Sequence, residues 1–446
     1  MKHRIIFILA LVMGGNQLIA QQELMLSQMN KVWQMNQINP AFFPDDRRIA
    51  IGLPAFSIDA THSGTVSYSD FFKIENGKTL FDFDQVIAKL DPQNEVAYQQ
   101  RIETVSLGIR LPGKGHTAIQ ASHAIRLSSA LTYPKEVVQF LWGGNAQFIG
   151  QTIQIAPVTN TFDWHEISAG LSRDFGKKLR VGAKVKYLAG ISSLETDQEA
   201  QFASIYTDPD IYQLKLTTNY GFHSFGTVSA IDTNGFGFKV ITNELGNQFR
   251  TQNSGIAFDL GITLKLTPKL TIYASALDIN GQIKWKEGKY FKSKGIFDYN
   301  GATIAGSDII NGADSIDFSS KLDTLNDFFM FQRTDSEFSS SLPARYYISG
   351  VFDLTKRWSI GGSFYYEDNA TTNTAFGVSL QWQPVRLIRL GAMYSANSRK
   401  TANLGFQVTL RPGPVQVFFA SDNLLNAFTP YSTSNVNFRT GLSFVL

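Results

Sequence analysis

The six histidines, at positions 3, 62, 116, 123, 165 and 223, are the first place to look for chemistry in this chain. Only His165 has an acid beside it, Glu166. A zinc hydrolase needs two histidines one helical turn apart, and a serine hydrolase of the elbow type needs its nucleophile in G-x-S-x-G. The chain contains no H-E-x-x-H, no Walker loop and no G-x-S-x-G, and it has no cysteine to complete a thiolate ligand set. Isolated Ser and His residues occur, but nothing marks a Ser/His/Asp hydrolase. We therefore expect no enzyme, no metal and no cofactor.

The basic residues are more informative. Lys184, Lys186, Lys265 and Arg389 each lie in a stretch that alternates apolar and small or polar residues. If those stretches are strands, the four cations share the polar face. They would then either attract an anionic head group, such as a carboxylate, or pair with acids of the same face, such as Asp259, and with any segment filling the interior. Reading them requires the elements that carry them.

Those elements have a period of two. Val181, Ala183, Val185 and Tyr187 oppose Gly182, Lys184 and Lys186, and Ile256, Phe258, Leu260 and Ile262 oppose Ala257, Asp259 and Gly261. Phe376, Val378, Leu380 and Trp382 oppose Gly377, Ser379 and Gln381. At the C-terminus, Phe438, Thr440, Leu442, Phe444 and Leu446 oppose Arg439, Gly441 and Ser443. A period of two puts each set on one side of a strand. A soluble β-sandwich would carry abundant charge on its outer face. Here the faces are apolar on one side and Gly, Ser, Thr or Gln on the other, as for strands between lipid and a wet lumen. Charged residues are 17% of the chain, below the soluble average of about 25%, and aromatics are 13%. The net charge of +3, with no basic run, gives no sign of nucleic-acid binding.

The connections support the same reading. Arg411 to Pro414, Gln383 to Val385, Leu354 to Lys356, Thr267 to Lys269, Arg173 to Lys178 and Pro112 to Gly115 are short and rich in Pro, Gly or Lys. The connections between them, notably Leu127 to Phe162, Asn280 to Leu342 and Ser421 to Val436, are long. Short turns at one end and long loops at the other are the signature of a transmembrane barrel. Sixteen segments read as strands, at 49–60, 101–111, 116–126, 162–172, 179–191, 211–220, 222–230, 254–266, 268–279, 344–353, 357–367, 373–382, 386–396, 403–411, 414–421 and 437–446. The fold class is all-β, a transmembrane antiparallel β-barrel of about 14 strands, within a range of 12 to 16.

Three regions fall outside the barrel. Residues 1–20 read as a cleaved signal peptide, with Lys2, His3 and Arg4 before a short apolar run and Ala20 before Gln21. Residues 21–48 hold Trp33, Ile38, Phe42 and Phe43 but also Pro40 and Pro44, which preclude a long strand. We expect this segment to plug the lumen, with Asn39, Pro40, Ala41 and Phe42 at its heart. The barrel then occupies 49–446, with a long external loop at 280–342 in which Lys321 to Phe331 reads as a short helix. A second helix is expected from Pro134 to Leu141, with Pro134 at its start.

Ile38-Asn39-Pro40-Ala41-Phe42 leading to Ile51-Gly52-Leu53-Pro54 resembles the entry of long-chain fatty-acid transporter barrels and of their relatives in the type IX secretion system. With Ala257 to Gly261, Leu277-Asp278-Ile279, Ile283-Lys284-Trp285, Ser341 to Ala344 and Ser421 to Leu425, the chain more closely resembles a Bacteroidota outer-membrane β-barrel family of unknown function. The transporter resemblance implies 14 strands and an N-terminal plug, hence a conduit for a hydrophobic or amphipathic small molecule, with Lys184, Lys186 and Arg389 as candidate ligand contacts. The secretion-system resemblance implies a non-transporting barrel that binds protein partners through its external loops. Either way the expected partners are outer-membrane lipid and the barrel assembly machinery, with a hydrophobic ligand or a secretion-system protein as the functional partner. The expected location is the Gram-negative outer membrane.

Overall fold

The computed structural model describes residues 24–45, 47–64, 66–75, 78–113, 116–226, 228–232, 235–238, 252–299, 331–368, 373–397, 403–423 and 434–446. The proposed signal peptide and the helix expected over Lys321 to Phe331 lie outside these residues, apart from Phe331 itself.

Fourteen antiparallel strands close into a barrel. In chain order they are β1 (Ile49–His62), β2 (Gln93–Arg110), β3 (Ala118–Pro134), β4 (Val158–Phe175), β5 (Leu179–Thr207), β6 (Ser254–Lys265) and β7 (Leu270–Trp285). The second half comprises β8 (Ala344–Asp353), β9 (Trp358–Asp368), β10 (Asn373–Val385), β11 (Ile388–Asn397), β12 (Asn403–Leu410), β13 (Val415–Ser421) and β14 (Asn435–Val445). Closure is made by β1, which pairs with β14 from Ala50↔Val445 to Thr61↔Asn435 and with β2 along its other edge. A closed ladder leaves no free edge, which is what hydrocarbon requires of a strand protein. Pro54 sits in β1 at a register shift between Gly52 and Ala55, a place where a residue without an N–H is tolerated.

The outer face is apolar and the inner face is not. Val185, Phe376 and Val378 are 51%, 62% and 61% exposed, while their neighbours Lys184, Lys186, Ser379 and Gln381 are buried in the interior. Exposed Ile, Leu, Val and Phe continue from strand to strand around the wall. A continuous apolar surface of that extent faces lipid, not water. Trp358 and Trp382 stack across β9 and β10 at 5.6 Å near the short-turn end, and Tyr346 and Tyr366 pair at 5.7 Å nearer the other end. Aromatic residues at both rims match the interfacial girdles of such barrels.

The structure lengthens the strands expected at 101–111, 116–126 and 162–172, which run over Gln93–Arg110, Ala118–Pro134 and Val158–Phe175, and corrects the strand list elsewhere. The segments 211–220 and 222–230 are not two barrel strands; Leu214–Phe225 and the short Val228–Asp232 both lie outside the barrel. β5 has 29 residues, which at about 3.3 Å per residue is several times the roughly 25 Å apolar band, so its second half stands above the membrane. There it pairs with Leu214–Phe225, which pairs with Lys289–Tyr299, which pairs with Gln332–Asp335. The interval 280–342 is therefore not simply a loop: β7 runs on to Trp285 and Phe338–Ser341 pairs with its upper end. The Gln383 to Val385 stretch is strand, and the turn falls at Arg386 and Leu387.

The external sheet has its own core, in which Phe148, Ile153, Ile205, Leu216, Phe222 and Phe291 are buried. In this second compartment apolar residues point inward to each other rather than outward to lipid. Strand parity along the sequence changes meaning there, which is why 211–230 misleads. A helix, Lys135–Gly143, follows Pro134, whose fixed φ suits a helix start, and its Val137 and Phe140 pack on this core.

Candidate functional site

Residues 24–45 fill the short-turn half of the lumen. Helix α1 (Leu24–Gln28) and a 3-10 turn at Trp33–Gln37 set their apolar side chains on the wall. Leu24, Met25, Leu26, Met29, Val32, Met35, Ile38 and Phe42 pack on Tyr273, Leu277, Tyr347, Val351, Tyr365 and Phe418. The packing is a dry core, unusual for a lumen, and it explains why the inner wall of β7 to β9 carries tyrosines.

The plug's backbone groups are satisfied from the wall, as burial demands. Gln381 Nε2 donates to Gln28 O at 2.7 Å and Gln416 Nε2 to Lys31 O at 3.0 Å. Gln120 Nε2 donates to Pro40 O at 3.1 Å, and Arg180 Nη1 to Phe43 O at 2.7 Å. Asn39 closes its own turn by accepting from Ala41 N at 2.8 Å, and its amide donates to Ile262 O at 3.1 Å. Gly182 and Gly261, partners across β5 and β6, make the notch that receives this turn. A Cβ on Gly182 would lie 2.4 Å from Pro40 O, and one on Gly261 would lie 2.3 Å from Asn39 Oδ1. At the mouth, burial raises the Asp45 carboxyl, but Lys265 and Arg180 outweigh it and hold the group below the ordinary carboxylate range.

The predicted cations take distinct places. Lys184 donates to Asn36 O of the plug at 2.6 Å. Lys265 pairs with Asp45. Arg389 donates to Asn30 Oδ1 at 3.1 Å and to Ser359 Oγ at 3.2 Å. Lys186 lies above the plug, 2.6 Å from Asp278 Oδ1 and 2.8 Å from Asp259 Oδ1. Asn39, Pro40, Ala41 and Phe42 are buried in the lumen against β3, β5 and β6. The His165 ring faces His123, with nitrogens 3.1 Å apart.

Sequence reasoning missed the group that organises the upper lumen. Glu166 accepts from Arg101 and Arg126, both at 2.9 Å. Asp278 binds Lys186, Arg126 at 3.2 Å and Arg345 Nη2 at 2.6 Å. Asp278 reaches all three because β7 bulges there: Asp278 and Asn280 have φ of 56° and 51°. The β6–β7 register shifts on either side of Phe258. The β7–β8 ladder stops at Leu277↔Arg345, and β7 next pairs at Gln282↔Ser341. Asx residues tolerate positive φ, so the signal available was the Asp-Ile-Asn-Gly run of 278–281 inside an otherwise apolar strand.

Beside this cluster a narrow cavity of about 60 Å³ is bounded by Phe162, Trp164, Tyr347 and Tyr365 and by a larger number of polar side chains, among them Gln99, Glu367 and Arg126. That is room for a few waters, not for a drug-sized ligand, for which pockets of about 300 Å³ or more are usual. Arg126 lies over the Trp164 ring at 4.8 Å. The site thus offers aromatic surface and guanidinium groups held by carboxylates. Among the described residues no group of histidines and acids suits a metal.

Asp278→Asn is expected to destabilise the folded barrel by about 3–5 kcal/mol, since it strands Lys186, Arg126 and Arg345 without their shared counter-charge. Urea denaturation followed by tryptophan emission measures this. A change below about 1 kcal/mol would show that the cluster is well hydrated.

Closed wall, apolar exterior and packed lumen together define a plugged transmembrane β-barrel. The chain belongs to the family of unknown function DUF5723, which matches residues 40–422. The sequence matches no curated protein. Among solved structures it is similar to the Pseudomonas putida toluene transporter TodX, at 12% identity over 91% of this chain and 92% of that one, with a TM-score of 0.41. It is also similar to the Ralstonia pickettii toluene transporter TbuX, at 11% identity over 91% and 90% of the two chains, TM-score 0.40. A Pseudomonas aeruginosa FadL homologue matches at 12% identity over 91% and 90%, TM-score 0.41.

Proposed function

We propose that the protein is a gated outer-membrane conduit for a hydrophobic or amphipathic small molecule, with residues 24–45 as the gate. The observation that carries this reading is the cavity above the plug, with Trp164, Tyr347 and Tyr365 in its wall among arginine, amide and carboxylate side chains, beside the interruption of the β7–β8 ladder. At this break the wall keeps one backbone bond, from Leu342 N to Gly281 O, and it lies just beyond Tyr346 of the aromatic girdle, which makes it a weak point at the outer rim of the lumen. The cavity is small as it stands, so a ligand enters only with movement of the plug or of the Leu342–Pro343 lip. Lys184 then acts by holding the gate at Asn36 rather than by meeting ligand. No catalytic step is part of this reading.

The test is binding of oleate to the purified mature protein, read by displacement of a fluorescent fatty acid. Trp164→Ala with Tyr347→Ala should weaken binding roughly tenfold, since each aromatic contact contributes about 0.5–1.5 kcal/mol beyond its area. Absence of oleate binding to the unaltered protein would defeat the conduit. A partner-binding role is favoured by one feature, the hairpin tip where Ile211 and Tyr212 are 68% and 60% exposed. It predicts instead a pull-down lost on Ile211→Ser with Tyr212→Ser.

A further inference from the structure

A second cavity, of about 470 Å³, opens at the short-turn end of the barrel, on the far side of the plug from the aromatic pocket. Its lining carries five cations and one carboxylate: Lys31 of the plug, Lys269, Lys356, Arg357 and Arg389, against Asp353. Four elements deliver them. Lys31 follows α1, Lys269 ends the β6–β7 turn, Lys356 and Arg357 lie in the β8–β9 turn, and Arg389 sits in β11. No ion pair ties any of the five to an acid among the described residues.

Arg389 is the informative member. It is 8% exposed, and its Nε has no hydrogen-bond partner. Its other nitrogens reach only neutral oxygens, Asn30 Oδ1 and Ser359 Oγ. Asp353 across the cavity is the nearest counter-charge in its surroundings but makes no ion pair with it, so five cations share one carboxylate, whereas buried charges are ordinarily paired. The cavity in front of it is large enough for a head group, and the other four cations surround the same space. Three lysines and one arginine around a buried arginine suit an oxyanion: guanidinium bonds such groups in a fork, and ammonium adds point charge.

We propose that this mouth is a binding site for a phosphate group, shared between the plug through Lys31 and the barrel wall through Arg389 and the β8–β9 turn. The bound anion bridges plug and wall, adding to the bond between Gln416 and Lys31 O that already fastens this part of the plug. The same chemistry is offered by a phospholipid head group at the membrane surface and by free phosphate in solution. The inference is independent of the conduit reading, because the site lies outside the aromatic pocket and its test uses no hydrophobic ligand.

The experiment uses the full mature protein. Inorganic phosphate is titrated into detergent-solubilised protein at constant low ionic strength by calorimetry. In parallel, protein in nanodiscs of phosphatidylcholine with one-fifth phosphatidylglycerol is released into native mass spectrometry to count retained lipid. Lys31→Gln with Arg389→Gln should weaken binding at least tenfold. Lys356→Gln with Arg357→Gln, in an exposed turn that does not shape the barrel, should weaken it about threefold and guards against a folding defect in the first variant. Lys294→Gln, on the external sheet, serves as the control and should leave binding unchanged. Phosphate binding with this pattern supports the site with a soluble anion as its source. Retained phosphatidylglycerol with this pattern supports it with lipid as the source. Failure of the unaltered protein to bind either probe would overturn the proposal. So would binding that survives all four substitutions at the mouth, or that falls equally with Lys294→Gln.

Discussion

A chain that stops at Ser434 is expected to yield no folded barrel. The missing segment is β14, which pairs with β1 from Ala50↔Val445 to Thr61↔Asn435 and with β13 from Val415↔Phe444 to Ala420↔Arg439. Its removal leaves two long edges whose N–H and C=O groups face hydrocarbon. Each such group costs several kcal/mol, and even a few exceed the roughly 5–15 kcal/mol by which proteins are stable. The loss also unpairs Asp422 from Arg439 and removes Leu442 O, which accepts from Gln34 of the plug at 3.1 Å. The measurement is gel mobility before and after heating, since a closed barrel resists detergent and migrates faster unheated. A heat-modifiable band from the shortened chain would mean that β14 does not close the wall.

Deleting residues 24–44 is expected to have the opposite character: a folded barrel with an open lumen. The wall ladder is complete without the plug, because every strand pairs with two others. What is lost is the core around Met25, Met29 and Ile38 and the bonds from Gln381, Gln416, Gln120 and Arg180 to plug carbonyls. These wall groups are polar and would take water in place of the plug. Conductance in planar bilayers should rise from near zero to a steady single-pore level, while the heat-modifiable shift is retained. Gly261→Leu should give a weaker version of the same result, because its side chain must occupy the place of Asn39 Oδ1. Conductance unchanged by the deletion would show that the lumen is sealed elsewhere, and the gate would then have to be sought at the Leu342–Pro343 lip.

Much of the wall was legible in the residues alone. A period of two with apolar residues on one face and Gly, Ser and Gln on the other has one meaning wherever lipid lies outside and plug inside. It therefore places Val185, Phe376 and Val378 outward and Lys184, Lys186 and Arg389 inward, as found. The short turns, the helix after Pro134 and the strand-breaking prolines of the plug were legible for the same reason: each rests on a local constraint of the backbone.

The tertiary structure decided what depends on two distant segments meeting. Alternation loses its meaning in the external sheet, where β5, Leu214–Phe225 and Lys289–Tyr299 bury apolar residues against one another, so 211–230 reads as two barrel strands when it holds none. The roles of the inward cations were also undetermined. Parity says that Lys184 and Lys186 share a face. It does not say that Lys184 ends on a plug carbonyl while Lys186 ends between Asp259 and Asp278, 73 and 92 residues further along the chain. Electrostatic partnership falls off within a few ångströms, whereas sequence pattern specifies only which side a residue takes. The bulge that turns Asp278 inward, and the convergence of Lys31 with Arg389 at the mouth, exist only once the barrel has closed around its own N-terminus.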